Sequence, residues 1–131
     1  MDKVRILIVD DDVHLSQLVA IMLEKTRLYT TAVENRPHQA LRRASNFKPE
    51  LVLLDVDMPG TDGAEVARQF RQHPPLHDVP IIFFTSLISP GDANETMIIR
   101  GGERFLPKPV DAAVLIRSIE SVLCEAATAS P

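Results

Sequence analysis

Four stations along the 131-residue chain carry side chains that could do chemistry together: Asp10-Asp11-Asp12, Asp55 with Asp57, Thr85-Ser86, and Lys108. Carboxylates gathered within a few ångströms raise one another's pKa unless a cation lies among them. Oxygen-only donors with room for water suit Mg²⁺, or Mn²⁺ in its place. An ammonium and a hydroxyl beside them meet the needs of phosphoryl transfer, where a protein mainly positions groups and neutralises oxygens. An Asp that attacks phosphorus forms an aspartyl phosphate. Each station also has a bland reading. Asp55 alone could cap a turn, Asp12 suits a helix cap better than a ligand, and Thr85 could simply end a strand.

The elements decide whether these stations meet. Val4 to Val9 is an apolar, β-branched run that reads as a buried strand ending at Asp10. Leu51 to Leu54 runs straight into Asp55, with turn formers at Pro59, Gly60 and Gly63. An all-apolar run bounded by turns is the mark of a parallel strand buried on both faces. Ile81 to Phe84 leads into Thr85, and Arg104 to Leu106 leads into Pro107-Lys108-Pro109. Tyr29 to Val33 reads as a weaker strand, nearer an edge. Between the strands, apolar residues recur at helical spacing. Leu15, Leu18, Val19, Met22 and Leu23 mark the first helix, capped by Asp12. Ala40, Leu41, Ala44 and Phe47 mark the second, entered at Pro37 and stopped at Lys48-Pro49. Val66, Ala67 and Phe70 mark the third, capped by Asp62, and His73-Pro74-Pro75 ends it. Ala93 to Arg100 is expected as a fourth helix of poor propensity before Gly101-Gly102. The fifth is expected from about Asp111 to Glu125, with Leu115, Ile119 and Val122 inward.

Strict β-α alternation predicts an α/β fold. The expected form is a flavodoxin-like (βα)5 doubly wound parallel sheet of strand order 2-1-3-4-5. In that order Asp10, Asp11, Asp55, Thr85 and Lys108 share one crevice at the carboxyl ends of the strands. The expected domain is 1–125, with 126–131 a disordered C-terminal tail.

Composition narrows the function. A net charge of −4 argues against a nucleic-acid surface on this chain. The single cysteine, Cys124, forms no internal disulfide, and no Cys/His metal spacing exists. There is no leader-like start and no apolar run of membrane-spanning length, so a cytoplasmic protein without membrane contact is expected. His14, His38, His73 and His77 read as surface or turn residues.

The motifs Ile-Leu-Ile-Val-Asp-Asp-Asp (6–12), Leu-Leu-Asp-Val-Asp-Met-Pro-Gly-Thr-Asp-Gly (53–63), Ile-Ile-Phe-Phe-Thr-Ser (81–86) and Phe-Leu-Pro-Lys-Pro-Val (105–110) resemble the receiver domain of two-component response regulators. The resemblance covers about residues 3 to 125. It implies that Asp55 is the phosphoacceptor, supplied by a sensor histidine kinase or phosphotransfer protein. Asp10, Asp11, Asp55 and the backbone carbonyl of Asp57 would hold Mg²⁺. Lys108 would contact the phosphoryl group, Thr85 would bond it, and Phe105 would repack as the switch. A cis Lys108–Pro109 bond is also implied. So is output to an unknown protein target through the surface of the fourth helix, fifth strand and fifth helix, where two copies could also pair. With no effector domain following, output by protein contact is expected, or else the chain is a piece of a longer regulator or hybrid kinase.

Several residues depart from the family pattern. Phe105 stands where Tyr is frequent. Ser86 replaces a smaller residue and would narrow access to the phosphoryl group. Gly101-Gly102 doubles a glycine. Asp57 places a carboxylate where water must arrive to hydrolyse the acyl phosphate, so both Asp57 and Ser86 are expected to tune dephosphorylation.

Two other readings compete. Asp55-Val56-Asp57 is similar to the Asp-x-Asp motif of haloacid-dehalogenase-type phosphatases, with the second Asp as general acid. In those enzymes the motif ends the first strand, whereas here it is expected to end the third. A phosphorylation-independent interaction module would have no need of Asp10, Asp11, Asp55, Thr85 and Lys108. The chain is therefore expected to catalyse only its own phosphorylation and dephosphorylation.

Overall fold

The structure, a computed structural model, describes residues 2–58, 60–86, 97–108 and 111–129. Five parallel strands form the sheet: β1 (Val4–Val9), β2 (Tyr29–Glu34), β3 (Leu51–Asp55), β4 (Ile81–Thr85) and β5 (Glu103–Pro107). Their order is 2-1-3-4-5, as expected. A three-residue strand, Ile98–Arg100, adds an antiparallel edge outside β5.

Alternate residues along each strand feed two cores. Ile6, Ile8, Leu51, Leu53, Ile82, Phe84 and Leu106 face α1 (Val13–Glu24) and the C-terminal helix (Ala112–Ala129). Leu7, Val9, Val52, Leu54, Ile81 and Phe83 face α2 (Ala40–Phe47) and α3 (Gly63–Gln72). Burial on both faces explains why the central strands are apolar throughout.

Local signals set the helix ends. Asp12 and Asp62 accept from the backbone N–H groups of Leu15 and Glu65 at 3.0 and 2.9 Å, so both are N-caps. A 3₁₀ turn, Pro37–Gln39, leads into α2. Lys48 closes α2 with φ +56°, a left-handed cap usually given to glycine.

Three expectations are corrected. Residues 98–100 are strand, not the end of a helix. Gly101 and Gly102, at φ +58° and +80°, form the two-residue loop of a hairpin in which Arg100 faces Glu103. Both central residues of such a loop need positive φ, which glycine adopts without strain. Residues 93–96 of the expected fourth helix and the Lys108–Pro109 bond lie outside the described residues. The C-terminal helix continues through Ala129, past the expected end at Glu125 and into the expected tail. Ala126, Ala127 and Ala129 have high helix propensity and extend it. Leu18, read as inward, is 54% exposed, while Val19 and Leu23 fill the core.

Candidate functional site

Parallel pairing brings the strand ends level. The Asp10 N–H donates to the Glu34 carbonyl, the Val56 N–H to Phe84, and the Lys108 N–H to Thr85, at 3.2, 3.0 and 2.9 Å. Residues from 10, 55, 85 and 108 therefore stand on one rim of the sheet.

Asp10 and Asp55 are each 2% exposed. Asp11, beside Asp10, is exposed. Each of the three offers an oxygen, and these oxygens lie within 4.8 Å of one another. Lys108 reaches in from the end of β5. Its Nζ donates to Asp55 Oδ1 at 2.9 Å and to Asp10 Oδ2 at 3.2 Å. Burial alone would lower the Lys108 pKa. The hydrogen bond to Asp55 and the charges of Asp10 and Asp55 outweigh it and hold the ammonium above its usual value. The Asp10 carboxyl is pushed up to about 6, first by burial. The Asp12 N–H and Lys108 pull it down, while the Asp55 charge pushes it further up.

One ammonium among three carboxylates leaves a local excess of negative charge. Such a donor set, oxygen only and open on the Asp11 side, fits a hard divalent cation such as Mg²⁺. The Asp57 N–H donates to Asp55 Oδ1 at 3.2 Å, which holds the turn after the strand, and the Asp57 residue is exposed. A two-residue ribbon, Asp57–Met58 against Thr61–Asp62, shapes this turn.

Thr85 is buried at the end of β4 and Ser86 is exposed next to it. Phe105 lies further back on β5, half-buried, with its ring stacked on Phe83 at a centroid distance of 5.4 Å and 24° between planes. Of the residues expected to form the site, Asp10, Asp11, Asp55, Asp57, Thr85, Ser86 and Lys108 lie at this rim, and Phe105 lies behind it.

Gly63 was expected only as a turn former, and the structure gives it a further part. A Cβ there would come within 2.4 Å of the Asp55 carbonyl oxygen and 3.0 Å of Val56 Cα. Its N–H donates to the Val56 carbonyl at 3.1 Å. The first turn of α3 thus rests on the backbone of Asp55. The signal in the sequence was the glycine directly after the Asp62 cap.

The fold and this acid-lysine rim define a receiver-type α/β domain, and comparison with known proteins agrees. The family described as response regulator receiver domain matches residues 6–120, and the chain belongs to it. The response regulator PleD of Caulobacter vibrioides is 33% identical over 119 residues, which span 90% of this chain and 26% of that protein. Each of the curated relatives compared is matched over about half its length or less. Among solved structures, the signal receiver domain of a histidine kinase from Syntrophus aciditrophicus is 30% identical. It has a TM-score of 0.74, over 92% of this chain and 90% of that one. The signal receiver domain of a modulated diguanylate cyclase from Desulfovibrio desulfuricans, described as an example of alternate folding, is 26% identical. Its TM-score is 0.76, over 98% of this chain and all (100%) of that one. Among the described residues no helix is long and apolar enough to cross a membrane.

Proposed function

We propose that Asp55 accepts a phosphoryl group from a phosphohistidine on a sensor kinase or phosphotransfer protein, and that this switches a signalling surface. The observation that carries the reading is the Lys108 ammonium bridging Asp55 and Asp10, with Asp11 completing the acid cluster. A family receiver with this set retains each group that phosphoryl transfer needs.

In the step, an Asp55 carboxylate oxygen attacks phosphorus. The P–N bond breaks, and the imidazole nitrogen leaves with the electron pair and takes up a proton. Lys108 balances charge on the incoming phosphoryl oxygens. Asp10, Asp11, Asp55 and the Asp57 carbonyl are the residues that would hold Mg²⁺, which when bound offsets the charge that carboxylates and phosphoryl oxygens would otherwise pile up. Thr85 and Ser86, at the end of β4, stand where the phosphoryl group would be met. Leu18 and Ile21, 54% and 55% exposed, present an apolar face on α1, the helix that follows the acidic loop, and such a face suits a protein donor. Output runs through Phe105, β5 with its added edge strand, and the C-terminal helix.

The test is labelling by acetyl phosphate with Mg²⁺, read by intact-protein mass spectrometry. The wild type should gain one phosphate, and Asp55→Asn none while keeping its fold. The same phosphate on Asp55→Asn would refute the assignment. Steady turnover of p-nitrophenyl phosphate would instead favour a phosphatase.

A further inference from the structure

Asn35 follows β2 directly, and the expected roles leave it unused. Its side-chain amide has two N–H donors, and both are engaged. One meets the backbone carbonyl of Asp10 at 2.7 Å and the other the Ser16 hydroxyl oxygen at 2.9 Å. Ser16 is fully buried in the first turn of α1 and donates its own proton to the Val13 carbonyl at 3.0 Å. A single side chain just after β2 thus ties a candidate metal-binding residue to the helix that follows that residue.

The rest of the acidic loop is held by its neighbours. The Asp10 N–H donates to the Glu34 carbonyl at 3.2 Å. The Asp12 N–H donates to Asp10 Oδ1 at 2.9 Å, and the Asp12 carboxylate caps α1 through Leu15. Asp11 lies exposed between two anchored residues, so the loop backbone sets the direction of its carboxylate.

We infer that Asn35 is a positioning residue for the divalent cation. It fixes the Asp10–Asp12 loop in the arrangement that keeps the oxygens of Asp10, Asp11 and Asp55 mutually within reach. The inference rests on the proposed reading of the site as a cation-assisted phosphoacceptor. The residue type follows from the geometry. Two acceptors face position 35, so the side chain must offer two donors on a short stem. Asp has the length but no N–H, and would set a carboxylate against two oxygens. Gln has the donors on a stem one methylene longer. Without the amide, the Asp10 carbonyl and the Ser16 hydroxyl each lose a partner, and the loop relaxes to find others. Losing such an outer partner typically weakens metal binding roughly 10–100-fold.

The test is Mg²⁺ affinity without any phosphodonor, by titration calorimetry on the full chain. It compares wild type, Asn35→Leu, Asn35→Ala, Ser16→Ala and Asp11→Ala, with thermal unfolding and amide hydrogen exchange of the metal-free proteins alongside. Asn35→Leu and Asn35→Ala should raise the Mg²⁺ Kd about tenfold and speed exchange at Asp11, Asp12 and Leu15. Ser16→Ala should have a smaller effect, since the bond to Asp10 remains. A residue that served only folding would lower the unfolding temperature and leave the Kd alone. That result at Asn35, beside a weakened Asp11→Ala, overturns this inference and leaves the site reading standing. A wild type that binds no Mg²⁺, or an Asp11→Ala that binds as well as wild type, overturns both.

Discussion

Burial of Asp10 makes the stability of the fold depend on pH. Its carboxyl rises from 3.8 to about 6, mainly by burial, with the Asp12 N–H and Lys108 opposing and the Asp55 charge adding. The folded protein therefore binds this proton more tightly than the unfolded chain. The group's contribution to stability is full below about pH 4 and is lost as pH rises through about 6. A shift of this size is on the order of 3 kcal/mol by neutral pH. Asp10→Asn, without Mg²⁺, should thus unfold at a higher temperature than wild type at pH 7.5. The gap should close toward pH 4, and parallel pH profiles for the two proteins would contradict it. Asp57 is exposed two residues beyond the proposed acceptor, and its N–H donates to Asp55 Oδ1. Its carboxylate can take a proton from attacking water or repel the phosphoryl oxygens, and both shorten the phosphorylated lifetime. Asp57→Asn should lengthen that lifetime, by about tenfold if the general-base part dominates. An equal or shorter lifetime at saturating Mg²⁺ would make Asp57 a surface acid only.

At the scale of elements, α3 and the turn before it decide how well Asp55 is held. Gly63→Ala would drive a methyl group into the Asp55 carbonyl, 2.4 Å away, and that contact is with backbone, which yields little. Overpacking of this kind costs roughly 1–3 kcal/mol. The variant should unfold at lower denaturant and accept phosphate more slowly, and wild-type values in both assays would show that the turn adapts freely. The glycine after the Asp62 cap marked the place in the sequence, but the contact itself was not legible, because it joins residues eight apart through a turn whose path no local pattern reveals. The strands were legible, since Ile6 to Val9, Leu51 to Leu54 and Ile81 to Phe84 are buried on both faces and so apolar without interruption. The caps at Asp12 and Asp62 were legible for the same local reason. Ile98–Arg100 was not. Expected alternation assigned it to the end of a poor helix lying before the two glycines. Two consecutive glycines between β-branched residues and a strand are equally a hairpin loop, and tertiary pairing with β5 chose that state. The outward turn of Leu18 was hidden too, because helical spacing leaves a wide stripe and only the sheet decides its edges.

Over the whole molecule, the site and the added edge strand share β5. Lys108 directly follows that strand and bonds across to Asp10, just after β1, and to Asp55, at the end of β3. Phe105, three residues earlier, is paired with Phe83 on β4 and with Ile98 on the hairpin. Arg71 on α3 grips Glu103 at the start of the same strand through two bonds of 2.6 and 2.7 Å. A change in what Lys108 holds is therefore felt along β5, between a buried neighbour on one side and a short edge on the other. The edge is the weaker partner: Ile99 is 62% exposed, and the hairpin has only three paired positions. Short, exposed pairings open with little free energy, so the hairpin should exchange its amide protons faster than the central strands. Occupying Asp55 with beryllofluoride and Mg²⁺ brings new negative charge to Lys108 and should bias whichever arrangement of β5 meets it best. The expected result is altered exchange at Ile98, Arg100 and Phe105, with β1 and β2 backbone amides unchanged and no such effect from Mg²⁺ alone. Changes confined to the acidic loop and the turn after Asp55 would mean that the site fills without moving β5. Arg71→Ala then separates the routes. If the grip on Glu103 resists the shift, its loss should enlarge the change at the hairpin, and if α3 carries the signal, its loss should erase it.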